Sequence, residues 1–248
     1  MRISQFLKQS FIDYPGNISS VIFTSGCNYK CPSCHAKHII YRNERIDEKE
    51  FFSYINPRKG WIEAVVLCGG EPTIQEGLRD FARKIKDLGF KVKLDTNGSN
   101  PKVLEKLLKE NLLDYAAMDV KGPKDMYNQL AGVEVNTISL EKSMALIQQF
   151  PDYEFRTTIV PIIRDDKKTE ISFMSVQEAE GIARWIVQTT NNNKHKYFLQ
   201  KFVARGKEMI DEHLSKENLS KEMQQTPESL ILEMKKAVKK YLPNCDIR

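Results

Sequence analysis

Short runs of apolar and β-branched residues recur at 20–24, 64–68, 91–95, 115–120, 155–160 and 197–202, each with the length and composition of a buried strand. Between them the apolar positions shift to helical spacing, as in Leu78, Phe81, Ile85 and Leu88, or Val103, Leu107 and Leu108. Asn100 before Pro101 reads as an N-cap with proline at the first helical position, and Gly89 after Leu88 as a helix C-cap. A last helix is expected over about 227–242, with Leu230, Ile231, Met234, Val238 and Tyr241 on one stripe. Its Lys235, Lys236, Lys239 and Lys240 lie outside that stripe, in turns where cations suit the helix dipole. Asn191-Asn192-Asn193 reads as a loop, and no internal repeat is visible.

Strand alternating with helix implies βαβ units, a mostly parallel sheet and an α/β class, because parallel strands need long crossovers that pack back on the sheet. Six units suit a partial barrel or a curved open sheet. In such sheets chemistry gathers at the carboxyl ends of the strands. Those ends carry Gly26-Cys27, then Gly69-Gly70-Glu71-Pro72, Asp95-Thr96-Asn97-Gly98 and Asp119-Val120-Lys121.

Composition narrows the class. The 248 residues are 41% hydrophobic and 29% charged, with a net charge of +5, values that exclude a disordered or collagen-like chain and do not indicate nucleic-acid binding. One domain is expected, a barrel core over about 18–203 followed by a helical extension over about 204–248. No apolar run has the length of a membrane span, and charge interrupts the first eight residues before a signal-peptide core develops, so a cytoplasmic protein is expected. Five cysteines, an odd number, argue against a disulfide framework and towards metal or redox chemistry.

Three of those cysteines fall together as Cys27-x-x-x-Cys31-x-x-Cys34, whereas Cys68 and Cys245 stand alone. A loop after a strand can bring three thiolates onto one soft metal centre. A structural zinc site closes with four ligands, so three cysteines imply either a recruited His35 or His38, or a centre with one open position such as an iron–sulfur cluster with a unique iron. Cys31-Pro32-Ser33-Cys34-His35 also matches a c-type haem attachment pattern, but that reading leaves Cys27 without a role. Cys68 reads as a small buried hydrophobe, and Cys245 as a residue of the tail without catalytic duty. Asp95 and Asp119 end neighbouring strands, where their carboxylates can converge with the Thr96 hydroxyl around a cation; the plain alternative is a set of solvated turns.

The cysteine spacing after one strand and Gly69-Gly70-Glu71-Pro72 after the next resemble the radical S-adenosylmethionine (SAM) superfamily. Residues 11–16, Phe-Ile-Asp-Tyr-Pro-Gly, with the stretch 21–28 and with 155–161, resemble more narrowly the activating proteins of anaerobic ribonucleoside-triphosphate reductase. The family usually has His-Asn after the third cysteine, whereas this chain has His35-Ala36. The resemblance implies a partial (β/α)6 TIM-like barrel and a 4Fe-4S cluster on Cys27, Cys31 and Cys34, whose fourth iron is chelated by SAM. It further implies that Gly69 and Gly70 let the backbone approach the methionyl part and that Glu71 orients its ammonium. Asp95, Asn97, Lys121, Arg156 and Gln200 are the other implied cofactor-binding residues, with a monovalent cation at Asp95, Thr96 and Asp119. Arg156 can face the lumen and grip a carboxylate or carbonyl, or pair with Asp119 or Glu154.

The function so implied is an activase. Flavodoxin or a similar donor reduces the cluster, SAM is cleaved to methionine and a 5′-deoxyadenosyl radical, and a Gly Cα hydrogen is abstracted from a partner glycyl radical enzyme, anaerobic ribonucleotide reductase. No side-chain base is needed, since the cofactor carries the chemistry. Two alternatives stand beside it: the same chemistry on another glycyl radical enzyme, a peptide or a small heterocycle; or a zinc-stabilised binding module using the lysine-rich last helix on an anionic partner.

Overall fold

The computed structural model describes residues 1–41, 45–206 and 209–248. All six expected runs are strands of one sheet: β2 (Ser19–Thr24), β3 (Ala64–Gly69), β4 (Lys91–Thr96), β5 (Tyr115–Asp119), β6 (Tyr153–Ile159) and β9 (Tyr197–Lys201) are mutually parallel neighbours in that order. They form a partial, open (β/α)6 barrel. Its sheet has eight strands because β1 (Ile3–Ser10) adds antiparallel to β2 and β10 (Cys245–Ile247) adds parallel to β9. A hairpin, β7 (Pro161–Ile163) and β8 (Ile171–Phe173), stands apart above the end of β6.

The strands read as continuous apolar runs because they are buried on both faces. Ile22, Val65, Leu67, Val92, Leu94, Ala116, Met118 and Phe155 point outward into the main core under the helices. Val21, Ala64, Val66, Tyr115 and Ala117 point inward and meet Tyr14, whose ring lies 5.6 Å from that of Tyr115 and closes the lumen at the amino ends of the strands. The helices follow the expected periodicity. The α1 (Lys37–Ile40) and α2 (Glu48–Ile55) helices precede β3, and α3 (Leu78–Asp87) buries Leu78, Phe81 and Ile85. Gly89, at φ +84°, ends its C-terminal turn. Pro101 opens α4 (Pro101–Lys109), but the Asn100 side chain makes no cap bond there; it donates to Thr73 O at 3.0 Å, tying the loop after β4 to the loop after β3. Next come α5 (Tyr127–Ala131), α6 (Thr137–Ile147) and α7 (Val176–Thr190), whose Ser175 and Glu178 form a capping box.

The last helix, α8 (Glu228–Val238), packs on α7 and ends short of residue 242. It is not the whole of the C-terminal extension, which also supplies β10. Two of the lysines outside its apolar stripe, the second just beyond the helix, are paired within the chain: Lys235 with Asp246 at 2.7 Å and Lys240 with Glu180 at 3.1 Å. Among the described residues, no helix is long and apolar enough to cross a membrane.

Candidate active site

Cys27, Cys31 and Cys34 lie in the loop between β2 and α1, all partly exposed at the carboxyl end of the sheet. That loop is held from four directions. Gly26 N–H donates to Ile40 O and Glu71 N–H to Gly26 O, at 3.0 and 2.9 Å, and Lys30 N–H donates to Ala131 O at 2.9 Å. From the C-terminal extension, Ile210 N–H donates to Cys34 O and Asp211 N–H to Pro32 O, at 3.0 and 3.1 Å. Asp211 is anchored in turn by Lys168 of the β7–β8 hairpin at 2.7 Å.

Two sulfurs already accept backbone donors, Cys27 from Tyr29 N–H and Cys34 from Ala36 N–H, each at 3.4 Å. Burial pushes the Cys27 thiol up to about 11 and raises that of Cys31, so both are neutral until a metal takes them as thiolates. Among the described residues no three His, Cys, Asp or Glu side chains gather around one ion-sized point. The donor set of three partly exposed cysteines with N–H groups on their sulfurs therefore fits a cluster.

The Gly69-Gly70-Glu71-Pro72 turn is built against the stem of this loop. A Cβ on Gly70 would lie 1.8 Å from Gly26 O, and one on Gly69, at φ +115°, 2.3 Å from Thr24 N. The glycines are thus required by the approach of β3's end to the cysteine loop. Glu71 is held from within the chain. It is 1% exposed; its Oε1 accepts from Thr73 N–H, the Thr73 hydroxyl and the Thr96 hydroxyl at 3.0, 2.6 and 2.8 Å, and its Oε2 accepts from Asn97 N–H at 2.7 Å. Burial raises its pKa, and those four donors oppose the rise. Asn97 extends the tie, donating through Nδ2 to Asn28 Oδ1 at 3.0 Å.

Asp95, Asp119, Lys121 and Arg156 meet in the lumen as a second group. Arg156 spans the two carboxylates, Nη1 to Asp95 at 3.0 Å and Nε to Asp119 at 2.9 Å, with Glu154 at 3.8 Å. Lys93 takes the other Asp95 oxygen at 2.5 Å and Lys121 the other Asp119 oxygen at 3.0 Å. Despite the opposing cost of burial, Arg156, with Lys93 for Asp95 and Lys121 for Asp119, holds both carboxyls below the usual carboxylate range. Lys121 is kept protonated by the Asp119 carboxylate against the same cost.

The residues of the expected cation site are engaged within the chain. The guanidinium of Arg156 already fills the place between Asp95 and Asp119. Thr96, adjacent to Asp95, points to the opposite face of β4 and donates to Glu71, as side chains alternate along a strand. Gln200 stands apart on β9, its Oε1 accepting from the Thr158 hydroxyl at 3.3 Å. Cys68 lies partly buried against the lumen cluster, and Cys245 is 2% exposed within β10.

Sequence reasoning missed Lys93 and the segment at residues 210–211, and named Glu154 only as a partner for Arg156. Lys93, 2% exposed, reads as part of an apolar run. Glu154 is fully buried, accepting from the Tyr115 hydroxyl at 2.7 Å and from Arg248 at 2.8 Å. The segment around residues 210–211 has no periodic signal, and its role depends on docking across some 180 positions of chain. A charged residue inside a strand run was the available sign for Lys93.

With this geometry in view, the likeness to known proteins is specific. Residues 21–172, more than half of the chain, match the Radical SAM superfamily model. A protein of Methanocaldococcus jannaschii named for an assigned role as a glycyl-radical enzyme activating enzyme is 33% identical over 253 aligned positions, covering 99% of this chain and 95% of that one. Among solved structures, a domain of pyruvate-formate lyase-activating enzyme from Bacteroides vulgatus superposes with a TM-score of 0.50 at 14% identity, covering 75% of this chain and 98% of that one. Streptococcus suis SuiB bound to its precursor peptide SuiA gives 0.55 at 16% identity, covering 73% of this chain and 38% of that one. Those two share the fold. The cysteine loop, the Gly-Gly-Glu-Pro turn packed against it and the open parallel barrel that carries both therefore have one common explanation: the chain belongs to the radical SAM superfamily, whose members use a 4Fe-4S cluster and SAM.

Proposed function

We propose that this radical SAM enzyme activates a glycyl radical enzyme, with anaerobic ribonucleotide reductase as its target and flavodoxin or a similar donor as its reductant in the cytoplasm. The observation that carries the reading is the 33% identity, over nearly the whole of both chains, to a protein named for that role.

Cys27, Cys31 and Cys34 hold the cluster in this reading, and Glu71, Asn97 and Lys121 line the approach of SAM. When bound, the reduced cluster would supply one electron to the sulfonium of SAM, whose S–C5′ bond would break to give methionine and a 5′-deoxyadenosyl radical able to take the Gly Cα hydrogen. The chain's own residues set the surroundings. Glu71 and Asn97 lock the loop after β4 to the cysteine loop. Lys121, partly exposed and kept as an ammonium, meets a carboxylate at the rim. Arg156 keeps Asp95 and Asp119 ionised and immobile, so neither takes a proton from the site.

The test is EPR of the reductase after anaerobic incubation with the reduced enzyme and SAM, with 5′-deoxyadenosine measured in parallel. A glycyl radical doublet matched by 5′-deoxyadenosine supports the reading. Abundant 5′-deoxyadenosine without a protein radical moves the substrate to another glycyl radical enzyme, a peptide or a heterocycle.

A further inference from the structure

Buried polar atoms without a partner are rare in native chains, and each needs a reason. Among the described residues four side-chain atoms are in this condition: Ser4 Oγ, Ser25 Oγ, Tyr29 OH and Gln75 Oε1. Three of the four surround the cysteine loop. Ser25 and Tyr29 stand two residues before and two after Cys27, and Gln75 donates through Nε2 to Ser25 O at 2.6 Å. Gln75 Oε1 is an acceptor and has nothing to offer a sulfur, whereas the two hydroxyls are donors. Of these, Tyr29 lies between two ligand cysteines.

Tyr29 is 4% exposed, and its ring is fixed in the main core, against which Cys27 and Cys31 also pack. Its backbone N–H already donates to Cys27 Sγ. The acceptors nearby are largely taken: Glu71 by its four donors, and the Tyr127 oxygen by Lys121 N–H at 3.3 Å. What the loop gains when irons bind is a set of new acceptors, thiolates in place of thiols and inorganic sulfides beside them.

We propose that the Tyr29 hydroxyl is a donor reserved for the iron–sulfur cluster, bonding a sulfide or cysteine sulfur once the cluster is seated. Tyr29 is thus a positioning residue that also sets the cluster's potential. A hydrogen bond to cluster sulfur stabilises the more negative, reduced state and raises the reduction potential. The inference rests on the cluster assignment and not on the identity of the substrate.

The test compares the full chain with Tyr29→Phe, both as apoprotein and after anaerobic reconstitution with iron and sulfide. The apo variant is expected to melt at or above the wild-type temperature, because the change removes a hydroxyl with no partner. The reconstituted variant is expected to carry the same iron and sulfide per chain but a lower midpoint potential. An unmoved potential at equal cluster content overturns the proposal. So does an apo variant that melts lower, which would show the hydroxyl already bonded, for instance to buried water. A wild-type chain that loads no cluster overturns the assignment and this inference together. A loaded cluster that yields no glycyl radical counts against the activase reading alone and leaves Tyr29 standing.

Discussion

Arg156→Met is the substitution that most directly tests the lumen network. The side chain is 11% exposed and makes two charge-assisted bonds, to Asp95 at 3.0 Å and Asp119 at 2.9 Å. Removing one member of a buried ion network costs about 3–5 kcal/mol when its partners are left unpaired. Here Asp95 keeps Lys93 and Asp119 keeps Lys121, so the lower end, about 3 kcal/mol, is expected. For a chain of this size that is a fall in Tm of about 6–12 °C.

The acid limb carries a second signature of the same change. Both carboxyls have folded-state pKa values below the unfolded value, so their contribution is present above the unfolded carboxylate pKa of about 4 and is lost as pH falls through the folded values. With Arg156 gone those folded values rise. The variant therefore loses less additional stability below about pH 4 than the wild type does, having less to lose. Arg156→Lys recovers only part, since one ammonium cannot span two carboxylates as the guanidinium does. Thermal and denaturant unfolding of apoprotein at pH 7 and pH 3 measures all of this. If Arg156→Met melts within about 2 °C of wild type with an unchanged pH profile, the network contributes nothing to stability.

Four further outcomes are expected. Alanine at Cys27, Cys31 or Cys34 abolishes the reconstituted cluster, read as iron per chain and visible absorbance, whereas alanine at Cys68 or Cys245 leaves it intact. Gly70→Ala, whose methyl would lie 1.8 Å from Gly26 O, costs about 1–3 kcal/mol and displaces the cysteine loop, while Gly181→Ala in α7, with 3.5 Å of room beside Pro123, stabilises by up to about 1 kcal/mol; melting curves of the two distinguish a close-approach glycine from a tolerant one. Asp211→Ala releases the segment that donates to the Cys34 and Pro32 carbonyls, so hydrogen exchange at the amides of 210 and 211 quickens and a chelator strips iron faster, with little change in global melting because the lost Lys168 pair is exposed. Glu71→Gln points an amide donor at some of the four donors that now converge on the carboxylate and costs about 1–3 kcal/mol, which denaturant unfolding detects.

What the sequence determined by itself is local. Six strands were legible because each is a short apolar run buried on both faces, and the helices because their stripes repeat at helical spacing. The cysteine loop and the Gly-Gly-Glu-Pro turn were legible because their spacing lies within a few residues. The tertiary structure decided whatever depends on which face or which distant segment a residue meets. Asp95 and Thr96 are neighbours in sequence, yet alternation along β4 sends one to Arg156 in the lumen and the other to Glu71 on the far side. Lys93 looked like an interruption of an apolar strand and Glu154 stood just before one; both are buried charges, paired with Asp95 and Arg248. The edge strands β1 and β10 and the strap at residues 210–211 have weak or no periodicity of their own. They take shape by pairing with strands or carbonyls far along the chain, and pairing of that range leaves no mark in a local window of sequence.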